Sequence, residues 1–474
     1  MIVVRAARFM AALIFFLLSA GCGQNYRPVA VPITPSPPNP AFTKSAFVLT
    51  DNGPLNPGSS SQIDVSGDTT VGVVKTGAGP VHGVLTPDAT RVYVANEFEN
   101  TVSEFPVNTP NSANLQPITT ISLPPGSNPV FVTAAQNTVV YAANFLAGTV
   151  AAISTSLNAV TQIISLDRAG PNPNIQPVAM AETPNGTRLY VANQGNGTST
   201  AGSVTSINPT DNSVNGSVAG SWVKPVWVVS RSDSARAYVL DSGAGEVFAI
   251  NTSSDAVLPN PVPVGAGANF MFYDGPRNRL YVTNPANGSV SVVDVSADPP
   301  SLLATDCAVS GSTPPCPVTF APVSVAALSN GGGAYVASYE ISSNCSGVTG
   351  PCITSQVSVI GSASNALVTV IPLGSVSVDM TDQTVCGPPN PVSSRAASRF
   401  RLSIAASGDS SRVYVANCDA GSTTILSAVP TSSDPYPANS VITNLVTPVS
   451  AFPPRPSNGG LPPTQNPVFV FTSP

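Results

Sequence analysis

Short apolar segments separated by polar turns recur from residue 46 to the end of the chain. The clearest are RVYVAN (91–96), VVYAAN (139–144), RLYVAN (188–193), RAYVLD (236–241), RLYVTN (279–284), GAYVAS (333–338) and RVYVAN (412–417). AFVLT (46–50) is a weaker copy. Their aromatic positions are Phe47, Tyr93, Tyr141, Tyr190, Tyr238, Tyr281, Tyr335 and Tyr414, spaced by 43 to 54 residues until a last step of 79. A Pro-led segment precedes most of them, as in NPVFVTA (128–134), QPVAMAE (176–182), KPVWVVS (224–230) and APVSVAA (321–327). A Gly-containing turn and a third apolar segment follow, such as GTVAAIS (148–154) or GSVSVVD (288–294), and then a fourth. A period of roughly 45 residues with this alternation predicts one four-stranded sheet per repeat. No amphipathic helix is visible after residue 20.

The Y-V-[AT]-N segments and the G-[ST]-V-x-x-[IV] strands after them resemble the YVTN family of β-propeller repeats. The resemblance implies an all-β fold: a single propeller of four-stranded blades over residues 46–474. It implies no one activity, because that family includes surface-layer and envelope proteins and is similar to lactonase-like propellers. Eight repeats predict eight blades; seven, common in the family, is the alternative, since residues 384–460 are irregular. The first repeat lacks its Pro-led strand, and the last residues, NPVFVFTS (466–473), are a Pro-led strand with nothing after it. The C-terminal strand is therefore expected to complete the first blade and close the ring.

Recurrent polar residues read as structural. Asn96, Asn144, Asn193, Asn284, Asn417 and Asp241 follow the Tyr segments, where they can bond nearby backbone and tolerate left-handed geometry. Asp88, Asp233 and Asp409 sit in polar turns. Arg91, Arg188, Arg236, Arg279 and Arg412 recur so regularly that they read as solvated positions.

The N-terminus carries a different signal. Arg5 and Arg8 precede an apolar run from Phe9 to Leu18, too short for a bilayer span of ~20 residues. Ser19, Ala20 and Gly21 then lead to Cys22. This is the layout of a secretory signal, and it resembles a bacterial lipobox, with Ser19 where that motif prefers Leu. Residues 1–21 are expected to be a signal peptide and 22–45 a lipidated, Pro-rich tether in extended polyproline form. The expected partners are a lipid bilayer, through acyl groups on Cys22, and an envelope protein or extracellular ligand. Gly23 is not the Asp of an inner-membrane retention signal, which suggests an outer-membrane address in a cell with two membranes.

Charge and cysteine content sharpen this picture. Basic residues are scattered singly and the net charge is −6, so nucleic acid is excluded as a partner. Beyond Cys22 there are Cys307, Cys316, Cys345, Cys352, Cys386 and Cys418, with no C-x-x-C. An even number in an exported chain points to disulfides. Cys307–Cys316 and Cys345–Cys352 would close short loops, and Cys386–Cys418 follows by elimination. Strand order places all six on one face and residue 45 on the other. The candidate binding face is that of the cysteines, with Tyr339, Glu340, Asp379, Asp382 and Asp419.

Candidate chemistry is sparse. His82, the one histidine, occupies the repeat position held by Phe131, Ala179, Trp227, Ser324 and Phe469, and reads as an inner-strand packing residue. No catalytic residue, metal ligand or cofactor site is assigned. Asp379, Asp382 and Asp419 match no EF-hand spacing. The function expected is binding, display or scaffolding by a tethered propeller. The alternatives are a lactonase-like hydrolase using the central channel and a structural surface-layer component.

Overall fold

The Tyr segments read as unbroken apolar runs because both faces of each strand are covered. In the second blade, Val92 and Val94 pack against Phe47 and Leu49 of the blade before, while Tyr93 and Ala95 pack against Val132, Val140 and Ala142 of the blade after. Alternate side chains thus serve opposite neighbours, as in sheets buried on both faces. A computed structural model describes residues 44–107, 119–167, 169–378, 385–386, 401–429, 436–446 and 466–473. These form eight antiparallel sheets arranged as blades, each of four strands, the outer strand of the fifth being split into Ala256–Val257 and Val262–Pro263. One 3₁₀ turn, Gly275–Arg277, is the only helical element among the described residues. The expected signal, Cys22 and the tether up to residue 43, as well as Asp379 and Asp382, lie outside the described residues.

The innermost strands run Asn466–Thr472, Pro80–Leu85, Pro129–Thr133, Pro177–Glu182, Pro225–Ser230, Phe270–Asp274, Ala321–Ala327 and Leu402–Ala406, for blades one to eight. Each packs on the next, and the eighth packs on the first, so the fold is an eight-bladed β-propeller. The ring closes as the repeats predict. Asn466–Thr472 pairs antiparallel with Ser45–Asp51, matching Phe471 to Phe47 and Phe469 to Leu49. Ser45 and Ser473 bond reciprocally: Ser45 N donates to Ser473 Oγ and Ser473 N to Ser45 O, both at 2.8 Å.

Proline shapes the start of the innermost strands. Pro80, Pro129, Pro177, Pro225, Pro322 and Pro467 are each followed by a one-residue register shift against the second strand. A proline has no N–H for the ladder, so the pairing skips a residue. The two innermost strands without that proline, in blades six and eight, pair without a shift.

The recurrent arginines are not simply solvated: they are half-buried or buried and bonded to neighbouring blades. With the tyrosines they clamp each of blades two to eight to the one that follows it, the eighth to the first. Tyr93 OH donates to Asn158 Oδ1 at 3.1 Å, Tyr141 OH to Asn212 at 2.9 Å, Tyr190 OH to Asp255 at 2.5 Å and Tyr335 OH to Asn439 at 2.6 Å. Arg188 pairs with Asp255, Arg236 with Asp298 and Arg412 with Asp68, and Arg279 donates to Asn365. Most of these acceptors sit in the turn between the third and outer strands of the following blade. Asp68, Asn158, Asn212, Asp255, Asn365 and Asn439 have φ between 48° and 59°, the left-handed region that Asn and Asp tolerate. The left-handed role expected of Asn96, Asn144 and Asn193 belongs to these turn residues instead. Those three are buried at strand ends and donate to hydroxyls of the third strand, as Asn96 Nδ2 does to Thr101 and Ser103. A repeated polar residue can face water or the next copy, and sequence periodicity alone does not separate the two.

Asp255 accepts from Tyr190, Arg188 and Ser206. Asp255→Ala is expected to lower stability by roughly 2–3 kcal/mol, at about 1 kcal/mol per lost bond. Asp211→Ala, in an exposed turn, should fall within about 0.5 kcal/mol of wild type. Paired urea titrations read the difference; equal midpoints would show that the clamp contributes nothing.

Candidate functional site

One residue from each innermost strand stands at the same level of the ring. These are His82, Phe131, Ala179, Trp227, Phe270, Ser324, Ser403 and Phe469, each opposite the penultimate or an equivalent residue of its second strand. The rings of neighbouring blades touch. His82 stacks on Phe131 with centroids 3.8 Å apart and meets Phe469 at 4.5 Å. Because Ala179 is small, Phe131 reaches Trp227 edge-on at 5.6 Å, and Trp227 meets Phe270 at 4.5 Å. The two serines bond to the neighbouring backbone: Ser324 Oγ donates to Leu402 O, and Ser403 Oγ accepts from Val470 N.

His82 is buried in this layer. Desolvation by burial pushes its pKa down to about 3, and Val132 N donates to Nδ1 at 3.4 Å, a bond that only an unprotonated nitrogen can accept. A neutral imidazole between two phenyl rings is a packing element. Phe270 and Ser403 belong to the same layer but are not visible in the Pro-led alignment, because their blades lack the proline.

The antiparallel strand order separates two faces. Turns between first and second strands, and between third and outer strands, lie on one, the turn face. Loops between second and third strands and the links between blades lie on the other. All six described cysteines fall on this second face. Cys307 ends the outer strand of blade six and pairs with Cys316 in the link after it. Cys345 and Cys352 close the tip of the long hairpin Gly333–Ser342 and Cys352–Gly361 of blade seven. Cys386, in the link to blade eight, pairs with Cys418, which follows the second strand Arg412–Asn417. The pairings are those expected, and three disulfides imply folding in an oxidising compartment. The Cys386–Cys418 bridge packs with Phe47, Leu49 and Val468, over the seam where the ring closes. Ser45 begins a second strand, so Lys44 leaves on the turn face.

The disulfide face holds one buried charge cluster. Arg401 Nη1 donates to Asp419 Oδ1 at 2.6 Å, with both side chains almost wholly buried. The guanidinium lies 5.6 Å from the Tyr339 ring centre. Burial raises the Asp419 carboxyl above the usual range, with Arg401 opposing, and burial likewise raises Tyr339. Two of the expected face residues, Tyr339 and Asp419, are thus brought together. Glu340 pairs across the hairpin with Thr354 and, as the next residue of the strand, points to the opposite side. Arg401 was not singled out from sequence. Its signal is positional: it stands where six other innermost strands begin with proline.

The family model described as "Lactonase, 7-bladed beta-propeller" matches residues 60–211. This span covers under half of the chain, and the present ring has eight blades. No curated protein matches the sequence. Among solved structures, a dihydro-heme d1 dehydrogenase, NirN, is similar at 12% identity and a TM-score of 0.56, over 84% of this chain and 72% of that one. A candidate 6-phosphogluconolactonase of Bacteroides fragilis NCTC 9343 is similar at 13% identity and a TM-score of 0.48, over 92% and 99%. A hydrazine synthase of Kuenenia stuttgartiensis is similar at 16% identity and a TM-score of 0.45, over 66% and 89%. These are likenesses of fold. The chain is a β-propeller, similar to the lactonase family over residues 60–211.

Proposed function

We propose that this chain is an exported envelope propeller, lipidated at Cys22, that binds a partner through its disulfide face. The observation that carries the reading is the polarity of the ring. Lys44 leaves on the turn face, whereas three disulfides and the overhanging blade-seven hairpin stand on the other. Loops on a rigid scaffold are where recognition usually resides. A lipid on Cys22 would turn the disulfide face away from the bilayer, toward an envelope protein or extracellular ligand. Mass spectrometry of membrane-extracted protein tests the tether: an acylated N-terminal Cys22 is expected, and a free thiol there removes it. A pull-down from solubilised envelopes tests the face. Deleting 341–352, or 378–388 together with Cys418→Ser, should lose the partner; an unchanged set of partners ends the assignment.

The match over residues 60–211 favours a second reading, lactone hydrolysis in the channel. An aromatic layer with a neutral, buried His82 argues against it. Acid release from a panel of sugar lactones by the purified protein would support it, and rates equal to those in buffer would dismiss it.

A further inference from the structure

On the turn-face side of the aromatic layer the channel is not filled. A cavity of about 250 Å³ lies there, lined by Trp227 of blade five and by residues of blades six, seven, eight and one. Its origin is legible residue by residue. Blades six and one place phenylalanines at two successive inward positions, Phe270 with Phe272 and Phe469 with Phe471. Blades seven and eight, between them, place a serine and an alanine there, Ser324 with Ala326 and Ser403 with Ala405. The result is a slot with phenyl walls and a small-residue back. Apolar voids of ~150 Å³ already take benzene, so this one has room for a larger flat ring system.

The floor of the slot is not wholly apolar. Ser324 and Ser403 are buried at 2% and 4% exposure, and both line the cavity. Ser324 uses its proton on Leu402 O, which leaves its oxygen able to accept. Ser403 accepts from Val470 N, which leaves its own proton to donate. A hydroxyl on a ligand both donates and accepts, and so complements this pair.

We propose that this cavity is a binding site for a small flat aromatic compound bearing one hydroxyl group, seated among the phenylalanine side chains with the hydroxyl on Ser324 and Ser403. Offset or edge-on ring pairs favour such a guest beyond simple burial. The site is on the turn face, opposite the disulfide face, so it stands or falls independently of the partner proposed above.

The test uses the purified propeller with 2-naphthol as probe and naphthalene as its hydroxyl-free counterpart, followed by probe fluorescence and calorimetry. Saturable binding of 2-naphthol, one per chain, is expected, with naphthalene weaker by about thirtyfold for two lost hydrogen bonds. Ala405→Phe and Ala326→Leu fill the slot from adjacent blades and should each weaken 2-naphthol at least tenfold, with melting checked so that a folded variant is always in hand. Ser403→Ala should cut the preference for 2-naphthol to about fivefold, one bond remaining to Ser324, while keeping naphthalene. No saturable binding to the unaltered protein overturns the proposal, as does undiminished binding in the folded slot-filling variants. Equal affinity for the two probes overturns the role of the serines.

Discussion

A chain lacking residues 466–474 is expected not to fold. Those residues supply the innermost strand of blade one, and without them Ser45–Asp51 becomes an open edge facing the channel. Val468 and Val470 are buried, and burial of such side chains is worth about 1.5–3 kcal/mol each. Phe469 and Phe471 add partial burial, the first against His82 and the second against Phe47. Val470 N and Thr472 Oγ1 also bond to blade eight. Together these approach the ~5–15 kcal/mol by which domains are stable. The truncated protein should be recovered as aggregate, or without the cooperative melt of the full chain. A synthetic peptide of residues 464–474, added during refolding, should restore part of the soluble fraction. A truncated chain melting like the intact one would mean that the ring does not depend on this strand.

The second large effect concerns acid. The His82 pKa falls from an unperturbed value near 6.5 to about 3 in the folded state, because burial among rings penalises the cation. Between these values the unfolded chain binds a proton at this position and the native chain does not, so stability falls as pH falls. A shift of this size corresponds to roughly 4–5 kcal/mol at the acid end. Burial raises the Glu182, Asp306 and Asp419 carboxyls, which acts in the opposite sense, so the measurement must be a difference. His82→Phe places in blade two the residue that blades three and one already carry. Denaturant midpoints of the two proteins should diverge as pH drops from 6.5 toward 3, wild type losing stability by about one proton's worth per pH unit. A gap between them that stays constant with pH would show that His82 does not stay neutral in the fold.

The architecture was readable because each blade repeats the same order of strands, and a strand covered on both faces leaves an apolar run that survives sequence drift. Closure was readable because two half-blades at the ends are complementary. The channel layer was readable only where a proline marked the register: Phe131, Ala179, Trp227, Ser324, Phe469 and His82 align, but Phe270 and Ser403 follow Ala268-Asn269 and Arg401-Leu402. The arginine clamps are not legible in the repeat, since an arginine recurring in five blades looks the same in sequence whether it meets water or Asp68 of the adjoining blade. Arg401 escaped notice because its partners, Asp419 and Tyr339, are brought to it only by blade packing. The cavity beside the aromatic layer depends on which side chains are small in two adjacent blades, a property of the ring and not of any one repeat.

The place where Lys44 joins the ring has a mechanical consequence. Ser45–Asp51 lies between Pro57–Asp64 and Asn466–Thr472, antiparallel to both. A load applied at Lys44 and resisted at the opposite face runs along that strand. It strains the hydrogen bonds of two ladders together, in shear, so that they share the force. An outer strand such as Ala159–Ser165, bonded on one side only, would carry the same load on a single ladder. The chain therefore takes up tension at a strand held from both sides, beside a seam already covered by the Cys386–Cys418 bridge.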